Sequence, residues 1–192
     1  GFSMEGSGKN ILEKIYMLCQ AVPMYDKIHR EKRAFQGIFS VINTIVKMIE
    51  LQKAEQKQGD LLLVCGAKAI EKAVNLREMQ AGKDIAEGIT QMIGKYPDLF
   101  PADTAERKIN QAVFYGQAMV RFCEEYEEKT AEEFYGRSLE CLEKLSEDDG
   151  YVERSRQIRR VLLHNYLGTK RNSEPQETLK LARELENILR QE

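Results

Sequence analysis

The chain contains no tryptophan and few of the residues that interrupt regular secondary structure. Its 192 residues include 13 glycines and 4 prolines, less than the usual share of about 12% for the two together. This scarcity disfavours a turn-rich all-β fold and excludes a collagen-like one. Hydrophobic residues make up 42% of the chain and charged residues 31%, so it can bury a core, and wholesale disorder is excluded.

Neither sign of charge dominates, and no long apolar run is present. The chain has 29 basic and 31 acidic residues and a net charge of −2, which argues against a general binder of polyanions. The most apolar run, residues 61–65, is soon followed by Lys68 and is too short to span a bilayer. No secretory signal is recognisable near the N-terminus. We therefore expect a cytoplasmic protein with no membrane association.

The residues that usually bind metals are scattered. The four cysteines form no CxxC pair and lie in apolar helical patterns: Cys19, Cys65, Cys123 and Cys141. This distribution favours reduced, buried thiols over disulfides or a zinc site. A di-iron bundle needs paired Glu-x-x-His motifs, and neither His29 nor His164 has a glutamate three residues before it. We expect no metal site and no cofactor.

Helical periodicity runs through the whole chain. Apolar residues recur every three or four positions in segments at about 11–22, 34–49, 61–79, 85–96, 104–127, 131–146, 151–167 and 174–190. Three pairs fit the capping-box pattern that opens a helix: Asp103 with Glu106, Thr130 with Glu133, and Ser173 with Gln176. No strand pattern is present. The prediction is therefore an all-α fold of about eight helices.

Two further expectations concern the organisation of the chain. Residues 1–10 are expected to form a flexible leader, with residues 1–3 a vector remnant, and residues 11–192 a single helical domain. The segment 34–49 is apolar on most sides, which is typical of a buried helix. We expect this helix, and Ile42 within it, to be central to the core.

A long-period repeat suggests helical hairpins. Gly66 precedes Ala81 by fifteen positions, and Gly116 precedes Ala131 by fifteen. The corresponding alanines, which include Ala34, recur at intervals of about 47 to 50 positions. A small residue on one helix would let the next helix cross closely. The pattern resembles tetratricopeptide-like arrays of antiparallel hairpins, although the period of that family is shorter, and an irregular helical bundle is the alternative. The resemblance implies an open surface that binds a peptide or a partner helix.

A short motif near the C-terminus points to a different function. Residues 159–166 contain Arg-x4-His-x-Tyr, which resembles the motif of HEPN-type ribonucleases, especially HepT toxins. The resemblance implies that Arg159 binds phosphate, His164 transfers a proton and Tyr166 supports them, with RNA as the substrate. The chain departs from that family at Arg160, where an uncharged polar residue is usual. Arg159 and His164 would lie about 140° apart on a straight helix, so they could converge only through a bend or a second subunit.

The same segment also forms a basic stripe. Arg156, Arg160 and His164 are spaced four residues apart, and we expect them to lie opposite Ile158, Val161 and Leu162. The preceding residues 124–149 contain eleven acidic and three basic residues, so facing helices would form rim ion pairs. The prediction that follows is a protein-protein interaction module without catalytic residues, in which Arg156, Arg160 and His164 contact the partner. The HEPN-type ribonuclease is the alternative.

Overall fold

Seven α-helices and no strand make up the secondary structure of the described residues. The structure is a computed structural model, and it describes residues 31–125, 127–145, 150–170 and 175–190. The helices are α1 (Glu31–Glu50), α2 (Gln56–Asn75), α3 (Met79–Lys95), α4 (Ala105–Glu124), α5 (Glu128–Glu143), α6 (Val152–Lys170) and α7 (Pro175–Arg190). They contain 85% of these residues, which confirms the predicted all-α fold. The expected leader and the helix at 11–22 lie outside the described residues.

No helix in these ranges combines the length and the hydropathy that are needed to cross a membrane. The described cysteines form no disulfide. Cys65 and Cys123 are buried, as expected, but Cys141 is only half buried.

Consecutive helices pack as antiparallel pairs joined by short connections: α2 with α3, α4 with α5, and α6 with α7. A Cβ atom placed on Gly66, in the middle of α2, would lie 2.1 Å from Ile89 Cδ1 of α3. In the next pair, the Ser138 hydroxyl of α5 donates a hydrogen bond to the Ala112 carbonyl of α4 at 2.7 Å. The expected hairpins are therefore present, and Gly66 meets Ile89 rather than the Ala81 that its spacing suggested.

Helices α2, α4 and α6 lie side by side. A Cβ atom on Gly66 would be 3.2 Å from Phe114 Cε2 of α4, and one on Gly116 would be 3.1 Å from Leu162 Cδ2 of α6. The absence of a side chain at both glycines thus allows neighbouring helices to approach closely. Helices α3 and α5 pack against this row from behind, and one face of the row stays uncovered by the described residues.

Ile42 of α1 is buried as expected, with only 6% of its surface exposed, but α1 is not the most central of the described helices. Among the described helices, α1 packs extensively against α2 alone, and it leaves Phe39 41% exposed. The central helix is α4, which packs against α2, α5 and α6. Phe122 of α4 is fully buried and lies 5.7 Å, ring to ring, from Phe134 of α5.

The bounds of α2 differ from the predicted 61–79 at both ends. The helix begins at Gln56, because the Gln58 side chain accepts a hydrogen bond from the Glu55 N–H at 2.7 Å. It ends at Asn75, because Arg77 takes a left-handed conformation with φ of 62°, and the Glu78 N–H donates to the Ala73 carbonyl at 2.9 Å. This turn usually contains glycine, so the sequence carried no stop signal.

Two of the expected capping boxes are also corrected, and the third, at Ser173, lies outside the described residues. Thr104 rather than Asp103 caps α4, and its hydroxyl accepts from the Arg107 N–H at 3.3 Å. Asp103 instead forms an ion pair with the Arg107 guanidinium at 2.7 Å. Helix α5 begins at Glu128, so Thr130 lies inside its first turn.

Gly59 provides a test of how α2 packs against the loop that connects α3 to α4. A Cβ atom at Gly59 would lie 2.2 Å from the backbone oxygen of Leu99. This oxygen belongs to the backbone and cannot rotate away, so Gly59→Ala should lower the free energy of unfolding by about 1–3 kcal/mol. Exposed Gly136 in α5 has nothing within 4 Å of such a position. Gly136→Ala should raise the same quantity by about 0.5–1 kcal/mol, and equal effects in urea unfolding would contradict the packing.

Candidate functional site

The uncovered face of α2, α4 and α6 forms a groove of about 560 Å³. Val113 and Val120 of α4 and Val161 of α6 contribute apolar surface to it. Val161 is 49% exposed. Val64, which is 59% exposed, lies on α2 one turn before Lys68, another residue of the groove. The fold thus leaves aliphatic surface uncovered here, a feature typical of interaction sites.

Basic side chains predominate among the charged residues of the groove. Among the described residues of the lining, they are Lys68, Arg121, Arg154 and Arg160, against one acid, Glu71. Glu71 lies between two of these cations, since its carboxylate is 3.1 Å from the Lys68 Nζ and 3.6 Å from the Arg121 guanidinium. Arg154, on the opposite wall, donates a 3.5 Å hydrogen bond to the Gln157 side chain. The groove therefore combines an apolar floor with a basic rim.

The three residues that were predicted to contact a partner do not lie together. Arg160 lines the groove. The exposed His164 lines a second depression, of about 260 Å³, which shares Arg160 and Val161 with the groove and extends it towards α7. Arg156 is in neither set of lining residues and forms an ion pair with Glu153 at 2.8 Å.

The predicted position of Val161 was wrong. Ile158 and Leu162 are buried as expected, but Val161 lies on the exposed side of α6 beside Arg160 and His164. The reason is geometric: on a straight helix Val161 lies about 60° around the axis from His164, so the two residues share the exposed side of α6.

The residues of the ribonuclease-like motif point to different faces of α6. The helix is unbroken from Val152 to Lys170, so the separation of about 140° between Arg159 and His164 is kept. Tyr166 is buried and stacks on Tyr135, with ring centroids 4.2 Å apart. His164 faces the second depression, and Arg159 is not among its lining residues. The ribonuclease interpretation stays a prediction, and in one chain no bend brings Arg159 to His164.

A buried ion cluster joins the acidic α5 to the basic α6. Lys170 is 3% exposed, and its Nζ lies 3.2 Å from Glu128 and 3.5 Å from Glu132. The same ammonium is 5.7 Å from the centroid of the Tyr166 ring. A buried lysine needs such carboxylate partners. This cluster stabilises the packing of two helices and lies apart from the groove lining.

Two thiols in the described part of the chain, those of Cys123 and Cys141, are not activated nucleophiles. Burial raises the pKa of the Cys141 thiol to about 11 and raises the pKa of Cys123 as well. Both thiols are therefore protonated near neutral pH, whereas a reactive cysteine needs a lowered pKa. In the described part of the chain, no group of three or more histidine, cysteine or acidic side chains is placed to hold a metal ion.

The contributions of α2 and α4 to the groove were not predicted from the sequence. Val113, Gln117, Val120 and Arg121 recur at helical spacing on one face of α4. This mixed aliphatic and polar face is the sequence signal that could have indicated the groove.

Comparisons with protein-family models, curated proteins and solved structures find no match to this chain.

Tyr166 predicts a loss of stability in alkali. Burial raises its pKa from 10.0 to about 12, so folding favours the neutral phenol. The resulting stabilisation is complete below pH 10 and is lost as the pH rises towards 12. Tyr166→Phe should therefore reduce the fall in the free energy of unfolding between pH 9 and pH 11 by about 1 kcal/mol. Tyr96→Phe, at a half-buried loop residue, is the control, and identical pH profiles for all three proteins would contradict the prediction.

His164 provides a test of the ribonuclease interpretation. A general acid or base needs a partner within hydrogen-bond reach, and α6 separates His164 from Arg159. We expect no cleavage of mixed RNA by the parent protein or by His164→Ala, as judged by gel electrophoresis. Cleavage by the parent that disappears in the variant would establish the ribonuclease instead.

Proposed function

We propose that the protein is an interaction module built from helical hairpins, and that it binds a polypeptide segment of a partner in the groove of α2, α4 and α6. The observation that carries the proposal is the groove itself. Its surface comes from the first helix of three successive pairs, and its aliphatic side chains are not covered by the described chain. This arrangement suits helix-in-groove recognition or the binding of an extended peptide.

Equivalent contacts in successive pairs support the interpretation as a repeat. Gly66 of α2 approaches Ile89 of α3 and Phe114 of α4. Gly116 of α4 approaches Ser138 of α5 and Leu162 of α6. In each case one contact lies on the second helix of the same pair, and the other lies on the first helix of the next pair. The two glycines are separated by about the same interval as the repeated alanines of the sequence. We therefore interpret the pairs as related units of a tetratricopeptide-like array.

The composition of the groove favours a polypeptide partner. The floor offers aliphatic surface to apolar side chains, and Gln117 and Gln157 offer amide groups that can bond to a main chain. The second depression continues the surface past Arg160 to Leu185 and Leu189 of α7. A partner could therefore contact four helices along one continuous path. Such a long surface suits a chain with side chains on several successive turns.

Val161 and Val152 provide a matched test of this proposal. Both are exposed valines of α6, at 49% and 45%, but only Val161 lines the groove. Peptides would be selected from a random library on the parent protein, and their Kd measured by fluorescence anisotropy. Val161→Asp should weaken binding about tenfold or more, since it removes apolar contact and buries a charge under the peptide.

Val152→Asp should leave the affinity within about twofold, a difference of under about 0.5 kcal/mol. Circular dichroism would show that both variants keep the helical content of the parent. Selected peptides that bind equally well to the parent and both variants would place the binding surface elsewhere. A selection that yields no binding peptide would also contradict the proposal.

A further inference from the structure

We infer that the groove takes an acidic amphipathic segment of a partner, with carboxylates towards the α6 wall and apolar side chains on the valine floor. This inference rests on the proposed function, because it names the chemistry of the polypeptide that the groove would hold. Its basis is the arrangement of charge and apolar surface in the lining. Of the described residues, four basic ones and one acidic one contribute to that lining, although the chain as a whole has a net charge of −2.

The two walls of the groove differ in the charges that they contribute. On the wall formed by α2 and α4, Glu71 lies between Lys68 and Arg121, and Glu124 bonds to the Arg121 guanidinium at 2.9 Å. These cations thus already have carboxylates of the chain itself. The α6 wall contributes no acidic residue to the lining, and its Arg154 donates to a neutral side-chain amide. A partner carboxylate on the α6 wall would therefore meet, at Arg154, a guanidinium whose hydrogen bond goes to a neutral amide.

Because the floor of the groove is formed by valines, the bound segment should be amphipathic rather than only acidic. Val113, Val120 and Val161 lie in the groove, and a purely charged peptide would leave them facing water or polar groups. A helix with apolar residues at positions i, i+3, i+4 and i+7 presents one stripe to such a floor and keeps its acids at the edges. The stripe would stabilise the complex by burial of apolar surface, and the acids would fix its orientation.

The lining argues against a nucleic acid as the occupant. Single strands bind mainly through a basic path for the phosphates and aromatic rings on which the bases stack. None of the described residues that line the groove carries an aromatic ring, and Glu71 would face the phosphates. The aliphatic floor would remain without a matching surface. An acidic polypeptide satisfies both the cations and the floor.

The inference predicts opposite effects for two charge changes at the groove. Arg154→Glu should weaken the binding of an acidic segment about fivefold or more, since it turns an attraction on the α6 wall into a repulsion. Glu124→Gln should strengthen it about twofold, because it removes a negative charge beside the groove that repels the carboxylates of the segment. Glu124 is exposed and lies at the end of α4, so this change should not impair folding.

The experiment uses two synthetic peptides of about 16 residues, enough for four helical turns. The first carries leucine on one helical face and glutamate on the rest, and the second has lysine in place of each glutamate. Fluorescence anisotropy with the full chain measures both affinities. The acidic peptide should bind at least tenfold more tightly, lose affinity when salt is raised from about 0.05 to 0.5 M, and respond to Arg154→Glu and Glu124→Gln as stated. Arg137→Glu on α5, away from the groove lining, is the control and should change nothing.

The outcomes separate this inference from the proposed function. If both peptides bind equally well to the parent and neither binds to Val161→Asp, the partner need not be acidic. The proposed binding of a polypeptide in the groove would still stand. If the acidic peptide binds equally well to the parent, Arg154→Glu and Val161→Asp, both the inference and the proposed function would be overturned. Failure of the acidic peptide to bind would overturn the inference, and the library selection would still test the groove. Tighter binding of an oligouridine than of the acidic peptide, lost in Arg154→Glu, would also overturn it.

Discussion

The close packing of α4 against three neighbours is the contact on which the other features of this structure depend. Gly66 lets α2 approach Phe114 of α4, and Gly116 lets α4 approach Leu162 of α6. Aromatic rings fill the other side, where Phe122 lies against Phe134 of α5. A helix interior tolerates glycine at a cost of about 1 kcal/mol relative to alanine, so its use at these two positions reflects the need for short distances between helices. Because of these distances, α2, α4 and α6 form one row.

This row explains the position and the chemistry of the groove. Helices α3 and α5 cover one side of the row, and their absence from the other side leaves Val161 of α6 exposed and Val113 and Val120 of α4 half buried. Acidic and basic side chains are also distributed differently between the covered side of the row and the groove. The acidic α5 is held to α6 by Lys170 away from the groove lining, whereas arginines of α4 and α6 reach the groove. The proposed binding of a partner follows from this separation of basic and acidic surfaces within a nearly neutral chain.

Part of this structure could be predicted from the sequence, and the rest depends on contacts that a local pattern does not contain. Periodicity indicated the helices and the burial of Ile42, because both follow from residues within a few turns of each other. The end of α2 was missed because Arg77 adopts a left-handed conformation where glycine is usual. The groove was missed because it brings together residues of α2, α4 and α6 that are about 50 and 100 positions apart in sequence. Of the residues predicted to contact a partner, Arg160 lies in the groove lining, whereas Arg156 pairs with Glu153 within its own helix.

Hydrogen–deuterium exchange of the protein with and without a library-selected peptide tests most directly whether the row of first helices is the binding surface. A ligand in the groove should slow the exchange of amides in α2, α4 and α6, since it restricts the local opening of the helices it contacts. Amides of α3 and α5, which contribute no residue to the groove lining, should exchange at the same rate in both states. Protection confined to α3 and α5, with α2, α4 and α6 unchanged, would contradict the proposal.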